Sequence, residues 1–296
     1  MIDLVMIVGP TGVGKTALSL ELAKKFNGEI INGDAMQFYK GLDIGTAKVK
    51  HQEQENIPHH LLDILEPEVV FSVALYQEMV REKVSEINSR KKLPIIVGGS
   101  GLYLSAIIDD YLFLGDKRHN DIESKYQDLS TEKLAKILIE TKPLLAKKCD
   151  LSNRRRVLRA LSKDETAVQE KLNPYYENAL IIGLELDRKK LYELLDQRVE
   201  EMIQNGLIVE VKSLYDKKIN SQAMQAIGYK ELYRYFDGEM ELSEVIDLIK
   251  RNTRRYAKRQ LTWFKNKMKV NWFTVNLDNF DSTVNEVIEY IKKEVY

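Results

Sequence analysis

Short runs rich in β-branched and other apolar residues punctuate the chain at Leu4 to Val8, Glu29 to Asn32, Pro94 to Val97, Ala179 to Leu186 and Val270 to Val275. Between most of them the apolar residues recur every three or four positions, as in helices that bury one stripe. Strands that alternate with helices imply a parallel sheet, because parallel neighbours need a crossover and the crossover helix covers the sheet face. The predicted fold class is α/β, a parallel sheet flanked by helices.

Two stretches break the alternation. From about Phe113 to Glu177 the strand signal vanishes and charged, helical text replaces it, as in Thr131 to Lys148 and Asn153 to Lys163. From Arg188 to about Lys269 the pattern is almost purely helical, with breaks expected near Gly206, Asn220 and Gly238, before a last strand and a last helix. The predicted organisation is a discontinuous core, residues 1–112 and 178–296, interrupted by a helical insertion at 113–177.

Composition narrows the function classes. Hydrophobic residues make up 44% and charged residues 30% of 296, an ordinary globular balance. No apolar run approaches the roughly 20 residues of a membrane helix, so no membrane partner is expected and the localisation is read as cytoplasmic. The single Cys149 excludes an internal disulfide, and with only His51, His59, His60 and His119 beside it a structural zinc site is not expected. His59 and His60 are adjacent and point apart in a helix or strand, which suits hydrogen bonding or packing. A formal net charge of zero excludes a uniformly basic nucleic-acid protein, though not a local basic face.

The chemistry begins at the end of the first strand. Gly9-Pro10-Thr11-Gly12-Val13-Gly14-Lys15-Thr16 fits the phosphate-loop pattern G-x-x-x-x-G-K-[ST] and stands between the apolar run Leu4 to Val8 and a helical stretch, Ala17 to Phe26. Its glycines let backbone N–H groups turn toward phosphate oxygens, Lys15 adds a full positive charge, and the Thr16 hydroxyl can ligate Mg²⁺. The core is therefore read as P-loop NTPase-like. The strand Pro94 to Val97 ends in Gly98-Gly99-Ser100-Gly101, with no carboxylate of the kind many nucleotide hydrolases place there, so Ser100 is the candidate hydrogen-bonding group. Asp34, just beyond the second strand, stands at the sheet edge where open parallel sheets bind ligands, as a candidate general base.

Between Lys250 and Lys269 lie nine basic residues and no acidic ones. Such one-sided charge repels itself and invites a polyanion, with Arg254, Arg255 and Lys258 as candidate phosphate contacts. Ile246, Ile249, Thr253, Tyr256 and Phe264 form the stripe expected to pack on the core. A second cluster, Arg154 to Arg156 with Arg159, lies in the insertion. From these features alone a small-molecule kinase and a nucleic-acid-binding ATPase both remain open.

The blocks Asp34-Ala35-Met36-Gln37-Phe38-Tyr39-Lys40-Gly41-Leu42-Asp43-Ile44-Gly45-Thr46-Ala47-Lys48, Pro58-His59-His60-Leu61-Leu62-Asp63, Val97-Gly98-Gly99-Ser100-Gly101-Leu102-Tyr103, Arg155-Arg156-Val157-Leu158-Arg159-Ala160-Leu161, Gln225-Ala226-Ile227-Gly228-Tyr229-Lys230-Glu231 and Thr253 to Phe264 follow the phosphate loop in order. Together they make the chain resemble the tRNA dimethylallyltransferases from end to end. The resemblance implies transfer of a dimethylallyl group from dimethylallyl diphosphate to N6 of the adenine 3′-adjacent to the anticodon, with a helical insertion that grips the anticodon stem-loop. It implies Asp34 as general base, Ser100 as an assisting hydroxyl and Arg198 as a diphosphate contact. It also assigns Asp34, Ala35, Met36, Gln37 and Ser100, and Arg155, Arg156, Val157, Leu158 and Arg159, to tRNA-contacting segments. A monomer is expected. An adenine nucleotide as acceptor, as in cytokinin-forming relatives, is disfavoured by the basic clusters. Two hydroxyls usual in the family are replaced here, by Val13 and Ala35, and Ser100 stands where threonine is usual.

Overall fold

In the computed structural model, which describes residues 2–109, 122, 124–147, 149–162 and 174–295, six strands form one sheet. These are β1 (Leu4–Val8), β2 (Gly28–Asn32), β3 (His59–His60), β4 (Leu93–Val97), β5 (Ala179–Glu185) and β6 (Asn271–Thr274), in the order β3-β2-β4-β1-β5-β6. Every pairing is parallel, as the alternation predicts. The central β1 is a continuous apolar run because both its faces are covered. Leu4, Met6 and Val8 enter one core cluster, Val5 and Ile7 the other.

The first cluster lies under α2 (Val73–Ser89), α3 (Gly101–Ile108), α8 (Leu207–Asp216), α9 (Tyr229–Phe236) and α10 (Leu242–Lys267); the second lies under α1 (Lys15–Phe26), α7 (Arg188–Gln204) and α11 (Phe280–Val295). The long helical stretch after Arg188 breaks as expected. Gly206 caps α8 at φ 101°, and the chain turns again around Asn220 and at Gly238. The strand β3 is absent from the pattern reading because two polar histidines carry no strand signal. It is an edge strand paired in parallel with β2, and its side chains add to the ladder: His60 Nε2 meets Glu29 Oε2 at 2.7 Å, and His59 Nδ1 meets the Ile57 carbonyl at 2.8 Å.

The chain divides into two compact units, residues 1–109 with 174–296, and residues 110–173. In the larger, Asp109 bridges Pro174 antiparallel and the Tyr175 N–H donates to the Ile108 carbonyl at 2.8 Å, so the chain leaves and re-enters at one place. The smaller contains α4 (Thr131–Thr141), α5 (Pro143–Ala146) and α6 (Arg154–Ser162), packed through Leu134, Leu138, Ala146, Val157, Leu158 and Leu161. The helical stretch from Thr131 is split: Pro143 has no N–H for the ladder, so α4 ends and α5 starts anew. Phe113, His119, Lys148 and Lys163 lie outside the described residues. No described helix is long and apolar enough to cross a membrane.

Candidate active site

The site assembles at the carboxyl ends of β1, β2 and β4, three adjacent strands. After β1 the chain can curl back into α1 only through left-handed backbone, and glycine supplies it: Gly12 has φ 84°, and Gly14, the cap of α1, has φ 91°. Gly12 thus suits its conformation. Val13 is buried in the second core cluster, so its methyls pack in apolar surroundings. The Lys15 ammonium donates to the Gly9 carbonyl at 3.0 Å and the Pro10 carbonyl at 2.7 Å, which pins its charge inside the loop. Burial lowers its pKa to about 8, against the Asp34 charge that raises it, and Arg198 lowers it further. Thr16 is exposed at the first turn of α1.

Beyond β2, Asn32 organises the turn that bears Asp34. Its Oδ1 accepts the Asp34 N–H at 2.9 Å, and its Nδ2 donates to the Asp34 and Leu61 carbonyls at 3.1 and 3.0 Å. The Tyr76 hydroxyl donates to the Asn32 carbonyl at 3.1 Å. Asp34 Oδ1 accepts the Met36 N–H at 3.0 Å. Burial raises the Asp34 pKa above the ordinary carboxylate value, while the Met36 N–H, Lys15 and Arg198 hold it down. Arg198, on α7, is in turn lowered by burial and raised by Asp34. These three residues, far apart in sequence, therefore share one electrostatic site: two cations and a carboxylate, each half-buried, where each charge counts for more than in bulk water.

Beyond β4, Ser100 Oγ accepts the Ala35 N–H at 3.0 Å, tying the β4 loop to the Asp34 turn. Ala35 contributes here through its backbone, and it and Met36 pack against the first core cluster. The Gln37 amide donates to the Thr46 carbonyl at 3.0 Å, which fixes its plane at the rim of a small cavity that Thr16, Asn32 and His59 also line. Glu210 on α8 holds the turn that leads to Thr46: its carboxylate accepts the N–H groups of Asp43, Ile44 and Gly45 at 3.0, 2.8 and 3.1 Å and the Tyr229 hydroxyl at 2.5 Å.

The residues expected to face RNA divide by exposure. Arg155, Arg156 and Arg159 of α6 are exposed, with Arg156 3.4 Å from Asp150. Val157 and Leu158, assigned to the same contacting segment, instead fill the core of the smaller unit, at 0% and 4% exposure, because the stripe that holds the helices together cannot also face a ligand. Arg154 donates to the carbonyls of Tyr126 and Gln127 at 2.9 and 3.1 Å, which makes it a brace.

On α10, Arg255, Lys258 and Arg259 are exposed. Arg254 spans both oxygens of Asp196 on α7 at 2.5 and 2.6 Å, and Lys250 and Lys265 pair with Glu200 and Glu185. The buried face of α10 is Val245, Ile249, Ala257, Gln260 and Phe264: Ile249 and Phe264 match the expected stripe, Val245 and Ala257 stand one step from Ile246 and Tyr256, and Thr253 is only half-buried. Pattern reading missed Tyr256 and Gln260 as site residues. Tyr256 belongs to the expected packing stripe, yet burial raises its pKa while the neighbouring Ser100 and Gln260 side chains hold it down. A polar Gln on a buried stripe was the available signal.

Residues 37–267 match the family described as IPP transferase. The chain is 50% identical over 299 residues to the tRNA dimethylallyltransferase of Anoxybacillus flavithermus, with 97% of this chain and 96% of the relative covered. Among solved structures it is similar to the full-length tRNA isopentenylpyrophosphate transferase of Bacillus halodurans, with TM-score 0.76 and 44% identity over 99% of this chain and 97% of that one. It is also similar to a eukaryotic dimethylallyltransferase acting on tRNA, with TM-score 0.84 and 28% identity over 99% of this chain and 79% of that one.

Proposed function

Since the chain belongs to the IPP transferase family, we propose that it transfers a dimethylallyl group from dimethylallyl diphosphate to a tRNA, at N6 of the adenine 3′-adjacent to the anticodon. The observation that carries this reading is the half-buried grouping of Lys15, Arg198 and Asp34, which perturb one another's proton affinities at one sheet edge. Two cations and loop amides suit a departing diphosphate, and a carboxylate beside them suits an amine that must lose a proton.

The chemistry divides between the two sides of the site. The allylic C–O bond breaks and its electron pair leaves on the diphosphate, whose charge Lys15, the loop amides and Arg198 stabilise. The adenine N6 lone pair forms the C–N bond. The proton that N6 sheds goes to Asp34, whose raised pKa makes it a stronger base than an ordinary carboxylate. Asn32 holds the Asp34 backbone, and the Met36 N–H holds the carboxylate itself. The Ser100 hydroxyl holds the backbone one residue on. Gln37, with its amide plane fixed, is placed to read the edge of an extruded base, and exposed arginines of α6 and α10 supply phosphate contacts that offset the cost of extrusion.

The donor set fits a metal carried by the diphosphate. Thr16 offers one exposed hydroxyl beside the loop, and among the described residues no group of three or more His, Cys, Asp or Glu side chains forms a cage of its own. Mg²⁺ retains water and takes most ligands from substrate phosphates, so Thr16 would be its protein ligand, and the ion would add charge neutralisation at the leaving oxygens.

The test is to incubate the protein with dimethylallyl diphosphate, Mg²⁺ and either an anticodon stem-loop or AMP. A C5 unit added to the stem-loop alone is the expected mass change. Modification of AMP instead, or of neither, overturns the reading.

A further inference from the structure

Gln260 lies on the inward face of α10 between Ala257 and Phe264, at 4% exposure. A primary amide buried there is costly unless its groups are paired. Both ends are paired, and with backbone far away in sequence: Oε1 accepts the Thr11 N–H at 2.9 Å, and Nε2 donates to the Gly99 carbonyl at 3.0 Å. Thr11 belongs to the phosphate loop and Gly99 to the loop after β4. The approach is close enough that a Cβ at Gly99 would lie 2.0 Å from Gln260 Nε2, so only glycine admits the amide.

The strands β1 and β4 are hydrogen-bonded neighbours, and their ladder ends where the Gly98 N–H donates to the Ile7 carbonyl at 3.2 Å. Past that point the two loops diverge, and Gln260 is a side chain that spans them. It commits the Thr11 amide to itself, which leaves the later amides of the loop to face a diphosphate. The Gly99 loop continues into Ser100, which holds the Ala35 N–H beside Asp34. One amide therefore stands between the phosphate side of the site and the base side.

We infer that Gln260 is a positioning residue for the transfer, whose side-chain amide fixes the phosphate loop against the β4 loop and so sets the leaving diphosphate relative to Asp34. This rests on the transferase reading above. Misplacement of reacting groups by about 1 Å costs on the order of 100-fold in rate. Gln260→Met keeps the length and loses both hydrogen bonds, so single-turnover transfer at saturating substrates falls roughly 10- to 100-fold, with stem-loop affinity unchanged. Gln260→Glu adds a signature that lost packing would not give. Its carboxylate accepts from Thr11 but repels the Gly99 carbonyl, whereas the protonated acid donates as the amide does, so the ratio of its rate to wild type rises as pH falls.

Three measurements decide the matter: transfer by both variants and wild type across pH, inorganic diphosphate binding by calorimetry, and thermal unfolding to set a temperature at which all are folded. Weaker diphosphate binding by Gln260→Met and a pH-dependent ratio for Gln260→Glu are the expected results. Wild-type diphosphate affinity in Gln260→Met, or a flat ratio, overturns the inference; if Gln260→Met does not fold, the ratio alone decides. Absence of tRNA transfer by wild type sinks the transferase reading instead, and the diphosphate measurement still judges Gln260.

Discussion

Asp34 and Lys15 perturb each other in opposite directions, and this gives each a separable test. Asn at position 34 keeps the shape and the hydrogen bond from Met36 but cannot take a proton. Asp34→Asn is expected to slow single-turnover transfer by roughly 10²- to 10⁴-fold with stem-loop affinity held within a few-fold. Burial raises the Asp34 pKa, so the folded protein binds more protons there than the unfolded chain, and ionised Asp34 weakens the fold as pH rises through its folded value. The Asn variant should consequently unfold at the wild-type temperature or slightly above it at neutral pH; a clear drop would make Asp34 a structural cap. Lys15 has the opposite sign. Its pKa is lowered to about 8, so between about 8 and 10.5 the unfolded chain holds more protons and stability rises with pH. An anion restores the proton, so just above pH 8 wild type should take up protons on diphosphate binding. Calorimetry in buffers of different ionisation enthalpy reads this, and Lys15→Arg, always charged, should lack that uptake.

Among elements, α6 and α10 each combine a packing stripe with a basic face, and the structure separates the two. Arg255→Ala and Lys258→Ala are each expected to flatten the salt dependence of stem-loop binding by roughly one phosphate. Arg254→Ala breaks the pair with Asp196, so it should shift stability by within about 1 kcal/mol and leave the salt slope as it is. Salt titrations of the three variants distinguish a phosphate contact from a brace, and an unchanged slope in Arg255→Ala and Lys258→Ala would place them with Arg254. On α6, Leu158→Ala opens a cavity in a small core and should cost about 2–5 kcal/mol, measured by denaturant unfolding of the full chain. Arg159→Ala should weaken RNA binding with no such loss. Helix existence and most breaks were legible here because periodicity and glycine act locally. The pairing of Arg254 with Asp196 was not, because its partner is supplied by a different helix.

On the scale of the whole molecule, the bridge between Asp109 and Pro174 allows residues 110–173 to be replaced by a short Gly/Ser linker. The remaining unit holds Lys15, Asp34, Arg198 and Gln260, so it is expected to fold and bind diphosphate normally while stem-loop affinity falls at least about tenfold through the lost phosphate contacts of α6. Retained RNA affinity in that variant would remove the smaller unit from the interface. The sequence by itself determined the parallel α/β core, the phosphate loop with Lys15, the carboxylate Asp34 beyond the second strand and the two basic clusters, because strand runs, helical periods and glycine loops are properties of neighbouring residues. Tertiary structure decided what depends on distance across the fold: β3 forms where β2 offers its edge and Glu29 meets His60, Asp34 and Lys15 acquire their shifted proton affinities beside Arg198, and Gln260, an ordinary polar position on a helix by sequence, meets two loops 249 and 161 residues away. A side chain's partner across the core is fixed by the packing of all the elements at once, and no local pattern carries that information.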